Sequence, residues 1–379
     1  MNDNRISTAA GLYIHVPFCR SKCAYCDFYS VTDDARVDEY LEALFCEMSL
    51  RRDFATVFDT VYFGGGTPSC LSADQLADLL QRLRSVFLVL PETEITVEVN
   101  PGDVDAAFLF RLREAGFNRV SIGVQSFDDH ILSTLGRRHN GREGLEAIES
   151  ARRSGFENLS VDLIYGVPGQ SLELWQRTME TAIAFRPEHL SCYELTLERG
   201  TPLYRRVEAG QAAPLREEEG YRFFSTTSAF LEDNGYVHYE VSNFARGESL
   251  VSRHNHKYWD HTPYLGLGPA AHSFRGNRRW WNHRDLQRYI GDLRAGRTPV
   301  DGLEDLSQEQ LRMEALYFGF RTKRGIHNPV FKERYGIDLF RQEETALRGM
   351  LDEGLIRLDG KVLSPTRRGL ALADRLCLL

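Results

Sequence analysis

Short apolar runs of strand length recur through the first half of the chain. Each is followed by a stretch in which apolar residues fall three and four apart. The runs lie at 12–18, 60–63, 94–99, 119–124, 159–164 and 189–197. Helical spacing fills 37–49, 72–87, 104–115, 142–154 and 172–185 between them. Ser72 with Gln75 three positions on predicts a capping box at one helix start. Parallel strands need such crossover helices, so the pattern predicts an α/β fold with strands inside and helices outside. Periodicity does not choose between a barrel and an open doubly wound sheet. Cys19, Gly65, Glu98, Gln125 and Asp162 sit at or just past the ends of five successive strands. In parallel barrels that rim is where a site forms.

Farther along, 217–233 reads as a helix and 236–244 as a strand. Residues 246–285 are rich in His, Trp, Tyr and Gly and read as irregular. From Leu306 the texture changes: helices over 307–319, 328–335 and 341–353 precede a hairpin over 354–363, turning at Asp359-Gly360, and a helix over 365–378. The expected division is therefore 1–245 as the main α/β domain, 246–300 as an irregular segment closing it, and 301–379 as a small winged-helix-like α+β domain.

Composition narrows the classes. With 379 residues the chain is long enough for two domains. A formal net charge of −8 argues against a general nucleic-acid binder, the winged-helix-like end notwithstanding. No run of about 18 apolar residues suggests a membrane span. The first residues lack the basic start and long apolar stretch of a secretory signal. Seven cysteines, an odd and clustered set, fit a reducing compartment better than a disulfide framework, so a cytoplasmic location is expected. Cys46, Cys70, Cys192 and Cys377 are scattered and read as ordinary thiols.

The other three, Cys19, Cys23 and Cys26, form CxxxCxxC after the first strand. Three thiolates on one short loop suit a soft metal centre and leave a position open. A zinc knuckle with His15 or Asp27 as fourth ligand is the plainer alternative. Gly64-Gly65-Gly66-Thr67-Pro68 follows the second strand, where glycines let backbone approach a ligand without a Cβ in the way.

CxxxCxxC with Tyr25 before its last cysteine, the YxHxPFC lead-in (Tyr13 to Cys19) and the glycine run resemble the radical S-adenosylmethionine (SAM) family. More narrowly they resemble its oxygen-independent coproporphyrinogen oxidase-like branch. The resemblance runs from about Gly11 to the C-terminus and implies a partial (βα)6 barrel. It implies a 4Fe-4S cluster on Cys19, Cys23 and Cys26, with SAM chelating the open iron and cleaved to a 5'-deoxyadenosyl radical on reduction. It places Tyr13, Gly65 and Glu98 on that SAM. Tyr25, Gly66, Thr67, Gln125, Arg137 and Asp162 match a second SAM site, and the segment ending at His272 matches another stretch near SAM.

Two features separate the branches. The decarboxylase pattern continues to a fourth cysteine where this chain has Phe28, and His254-Asn255-His256-Lys257-Tyr258-Trp259 resembles the HNxxYW motif of the haem chaperone branch. That branch implies haem as cargo, with His254 as axial ligand and His256, His261 and His272 as alternatives. The leading expectation is a haem carrier that delivers haem to acceptor proteins, respiratory and membrane-associated ones among them. The alternatives are oxidative decarboxylation of coproporphyrinogen III or another radical reaction on a tetrapyrrole. Enzymatic activity stays undecided, and the oligomeric state is open between monomer and homodimer.

Overall fold

The computed structural model describes residues 9–54 and 57–376. Cys377 and the end of the last expected helix lie outside the described residues. Strands β1 (Ala10–Val16), β2 (Phe58–Gly65), β3 (Val89–Val99), β4 (Arg119–Gln125), β5 (Asn158–Tyr165) and β6 (His189–Glu194) pair in sequence order, each parallel to the next. They are joined by α1 (Val37–Leu50), α2 (Ala73–Val86), α3 (Ala106–Ala115), α4 (Asp129–Leu135), α5 (Gly141–Arg153) and α6 (Leu172–Ala184). β1 and β6 do not pair, so the six strands make a partial barrel. The Ser72–Gln75 capping box forms as expected. Two short helices escaped the sequence pattern: α4 and, after β6, α7 (Pro202–Glu208).

Alternation along the strands sets the chemistry of the two faces. Leu12, Ile14, Val61, Phe63, Val120, Ile122, Val161 and Leu163 are fully buried in the apolar core. The alternate residues form a polar interior. Ser121 donates to Asp162 at 2.9 Å, Tyr62 donates to Glu98 at 2.7 Å, and Ser160 lies 2.8 Å from the ring of His189. A barrel interior built of carboxylates, hydroxyls and imidazoles is a place for ligands rather than a packed apolar plug.

Beyond α8 (Glu217–Asp233), the single strand expected over 236–244 is a hairpin, β7 (Val237–Glu240) and β8 (Asn243–Ala245), antiparallel on β6. The segment read as irregular is ordered instead. It holds α9 (Arg253–Tyr258), β9 (Tyr264–Leu267), β10 (His272–Arg275), β11 (Arg278–Asn282) and α10 (Leu286–Arg294). β9 adds in parallel to the open side of β1, and β10, β11 and β12 (Val300–Asp305) extend the sheet antiparallel. Their four to six residues are too short to display a period, and their Trp and His residues imitate a loop. The twelve-stranded sheet thus continues to Asp305, past the expected boundary at 300.

The C-terminal unit holds α11 (Gln308–Gly319), α12 (Asn328–Tyr335), α13 (Leu339–Gln342) and α14 (Glu344–Asp352). A three-stranded antiparallel sheet of β13 (Ile326–His327), β14 (Ile356–Asp359) and β15 (Val362–Pro365) packs with them, followed by α15 (Arg367–Ala371) and α16 (Ala373–Leu376). The expected helix over 341–353 is split at Glu343, and the hairpin turns through Gly360 at φ 58°. This unit has its own core around Leu316, Phe320, Phe331, Ile356 and Leu363. It is tied to the large domain by Arg367, which donates to Ser228 at 2.9 Å, and by His261, which lies between Tyr335 and Glu314.

Candidate functional site

The cysteine loop leaves β1 at the C-terminal rim and is pinned at several points. Cys19 N–H donates to Val31 O at 2.9 Å, and Val31 N–H donates to Pro17 O at 2.7 Å. Ala24 N–H donates to Leu135 O at the end of α4, and Leu203 N–H of α7 donates to Ala24 O. The two helices that the sequence did not announce therefore hold this loop in place. Arg20 and Arg138 both pair at 3.0 Å with the buried carboxylate of Asp103, tying the loop to the segment after β3.

The glycine run lies against this loop. Gly66 N–H donates to Val16 O at 2.8 Å, and a Cβ on Gly66 would meet Phe18 O at 2.8 Å. Gly65 sits at φ +109°, and a Cβ there would lie 2.6 Å from the His15 ring. Only glycine lets β2 end this close to β1.

Behind the loop opens a cavity of about 580 Å³. It is lined by Cys19, Cys23, Cys26, Tyr25, Gly65, Gly66, Thr67, Glu98, Gln125, Arg137 and Asp162, all singled out from the sequence. Thr67 Oγ1 lies 3.3 Å from Cys19 Sγ and accepts from Asn100 at 3.0 Å. Arg137 reaches Cys23 Sγ at 3.4 Å, donates to Gly123 O at 2.7 Å and bonds Asn100. Gln125 adopts φ 64°, a left-handed backbone that non-glycine residues seldom take and that is concentrated at functional sites. Burial pushes the Glu98 carboxyl up to about 7, against the hydrogen bond from Tyr62. Burial also raises Asp162, against hydrogen bonds from Ser191 and Ser121.

The donor set fits an iron–sulfur cluster. The three thiols are free, and burial followed by the proximity of Cys23 and Cys19 raises the Cys26 thiol. All three line the mouth of the cavity. Among the described residues no three His, Cys, Asp or Glu side chains are gathered as ligands for a single ion. The His15 ring is buried and engaged with Tyr29 O at 2.9 Å and with the Tyr13 hydroxyl at 3.2 Å, so it is not poised as a fourth zinc ligand. Three free thiols at one cavity mouth suit a polynuclear centre in which each sulfur takes its own iron.

Three expected residues lie elsewhere. Tyr13 stands beside the cavity, its ring 6.2 Å from that of Tyr62, but does not line it. His272 opens β10, exposed and stacked on Trp281 at 5.8 Å, outside the cavity. His254 does not line the cavity either. It is 1% exposed, with its ring nitrogens 2.9 Å from Thr60 Oγ1 and 2.9 Å from the Tyr258 hydroxyl. Burial lowers its pKa to about 3. Both ring nitrogens are engaged within the protein, and α9 packs against β1 and β2. Lys257 pairs with Asp59 at 2.7 Å and donates to Ala9 O, while the backbone N–H groups of Arg253 and His254 donate to Glu94. His261, an alternative ligand, is likewise engaged through both nitrogens.

The cavity also takes in residues that sequence reasoning passed over: Tyr62, Asn100, Arg119, Ser121, Ser191, Tyr193 and Asn255. For Tyr62, Ser121, Ser191 and Tyr193 the signal was the polar alternation within strands that were read only as apolar runs.

A fold of six parallel strands opening on a three-thiol mouth defines the class, and comparisons agree: residues 13–182 match the Radical SAM superfamily and 306–372 the HemN C-terminal domain. The chain is 37% identical over 373 residues to the "Heme chaperone HemW" of Mycobacterium tuberculosis, covering 96% of this chain and 93% of the relative. It is 34% identical to the protein of that name from Bacillus subtilis, covering 96% of each. A bovine protein named "Radical S-adenosyl methionine domain-containing protein 1, mitochondrial" is 33% identical over 98% of this chain and 87% of its own. Among solved structures, coproporphyrinogen III oxidase (HemN) of Escherichia coli superposes with a TM-score of 0.85 at 24% identity, over 98% of this chain and 89% of that one. The chain belongs to the radical SAM superfamily and, within it, to the family of the proteins named heme chaperone HemW.

Proposed function

We propose that this protein is a cytoplasmic haem carrier built on a radical SAM barrel, which binds haem and passes it to haem-requiring acceptor proteins. The observation that carries this reading is the near full-length identity with relatives named heme chaperone. Phe28 supports it: 70% exposed beside Cys26, it stands where the decarboxylase pattern has a fourth cysteine. Cys19, Cys23 and Cys26 would hold the 4Fe-4S cluster, and Glu98, Gln125, Arg137 and Asp162 would bind and orient SAM within the cavity. The cluster and SAM together would supply one-electron chemistry at the mouth. The protein side chains would exclude water and fix polar groups, with Arg137 holding Cys23 and Asn100 in register. No described helix is long and apolar enough to cross a membrane, so a membrane-associated acceptor would be met at its surface.

The test is an anaerobically reconstituted preparation titrated with haemin and then mixed with an apo-acceptor. The expected result is a stoichiometric haem absorption change followed by its transfer to the acceptor spectrum. Protoporphyrinogen formation from coproporphyrinogen III in the same preparation, with SAM and reductant, would replace the carrier reading with the decarboxylase one.

A further inference from the structure

The floor of the cavity holds a buried arginine with no carboxylate in direct contact among the described residues. Arg119 opens β4 at the end of the barrel away from the thiols, is 1% exposed, and lines the cavity. Its Nε is buried without a hydrogen-bond partner, and its guanidinium forms no hydrogen bond or ion pair within 4 Å among the described residues. The nearby carboxylates are engaged elsewhere. Glu98 accepts from Tyr62, and Asp162 accepts from Ser121 and Ser160. Burial pushes both toward their neutral forms, against the pull of the Arg119 charge, and neither makes a direct contact with it. An arginine is rarely left buried without an anion, and its planar fork matches a carboxylate through two parallel hydrogen bonds.

We infer that Arg119 is an anion anchor at the cavity floor, taking a carboxylate of the ligand that enters from the mouth. The inference rests on reading the cavity as a ligand site. The carboxylate has two sources, a haem propionate or the methionyl carboxylate of a SAM molecule. β4 spans roughly 20 Å from Arg119 to Gln125 at about 3.3 Å per residue. An anchor at its lower end would hold the far end of whichever ligand reaches down from the mouth.

The experiment uses the full-length, cluster-loaded protein and its R119M variant, with melting temperature and iron content as controls. Affinities are measured for SAM, haemin and haemin dimethyl ester, which lacks the propionate charge. A propionate anchor makes R119M bind haemin at least tenfold more weakly, while the dimethyl ester binds both proteins alike and SAM binding is unchanged. A methionyl anchor moves the loss to SAM. A folded R119M that binds SAM and haemin as the wild type does overturns the inference. Should R119M fail to fold, R119K carries the test: losing the two-pronged donor lowers affinity for one ligand severalfold, and unchanged affinity for both overturns the anchor. Wild-type protein that takes up no haem overturns the carrier reading and leaves the SAM arm to decide Arg119.

Discussion

Glu98 lies fully buried in a polar pocket, and its carboxyl is held near neutrality at about pH 7. An ordinary glutamate in the unfolded chain titrates near 4.3. The folded group is thus harder to ionise, and wild-type stability falls as pH rises from about 4.3 to about 7, then levels off. Glu98→Gln removes that penalty. The variant should match the wild type near pH 4 and exceed it by about 4 kcal/mol at most near pH 8. Denaturant melts of cluster-free protein at the two pH values check this, and a gap that narrows with rising pH contradicts it. At Gly65 the constraint is steric rather than electrostatic. Gly65→Ala places a Cβ 2.6 Å from the His15 ring in a left-handed backbone. The cost should be at least ~1–2 kcal/mol, with iron retention impaired because the glycine run abuts the cysteine loop.

At the scale of elements, the HNxxYW motif forms α9, which is fastened to β2 and β3 through Lys257–Asp59 and Glu94. His254→Ala should cost about 2–4 kcal/mol through lost ring contacts and hydrogen bonds, leaving the haem absorption bands of the folded protein in place. Loss of those bands in a variant that melts like the wild type would restore His254 as ligand. The six parallel strands were legible because runs such as 119–124 are long and apolar on the face that meets the helices. Gly65, Gln125 and Asp162 were legible because they stand at strand ends, where the chain turns into the site. β9 to β12 were not, since four-residue strands assembled by tertiary pairing carry no period of their own. Arg119 was hidden for a different reason: it sits at the head of a strand and reads as an ordinary boundary charge, and only folding shows that no carboxylate meets it.

The whole molecule joins a barrel whose polar interior reaches from Arg119 to Gln125, a mouth lined by three free thiols, and a C-terminal unit fastened through His261 and Arg367. The C-terminal unit has its own core and shares a smaller apolar cluster with the large domain through Phe274, Leu306, Leu311 and Tyr335. The central claim is that Cys19, Cys23 and Cys26 hold a SAM-binding iron–sulfur cluster. The most direct measurement is iron and sulfide content with electron paramagnetic resonance of the reduced, oxygen-free protein, before and after SAM. About four irons and four sulfides per chain, a cluster signal that shifts on adding SAM, and loss of both in each Cys→Ala variant are the predicted result. One zinc per chain, or iron retained when any of the three thiols is removed, would contradict it.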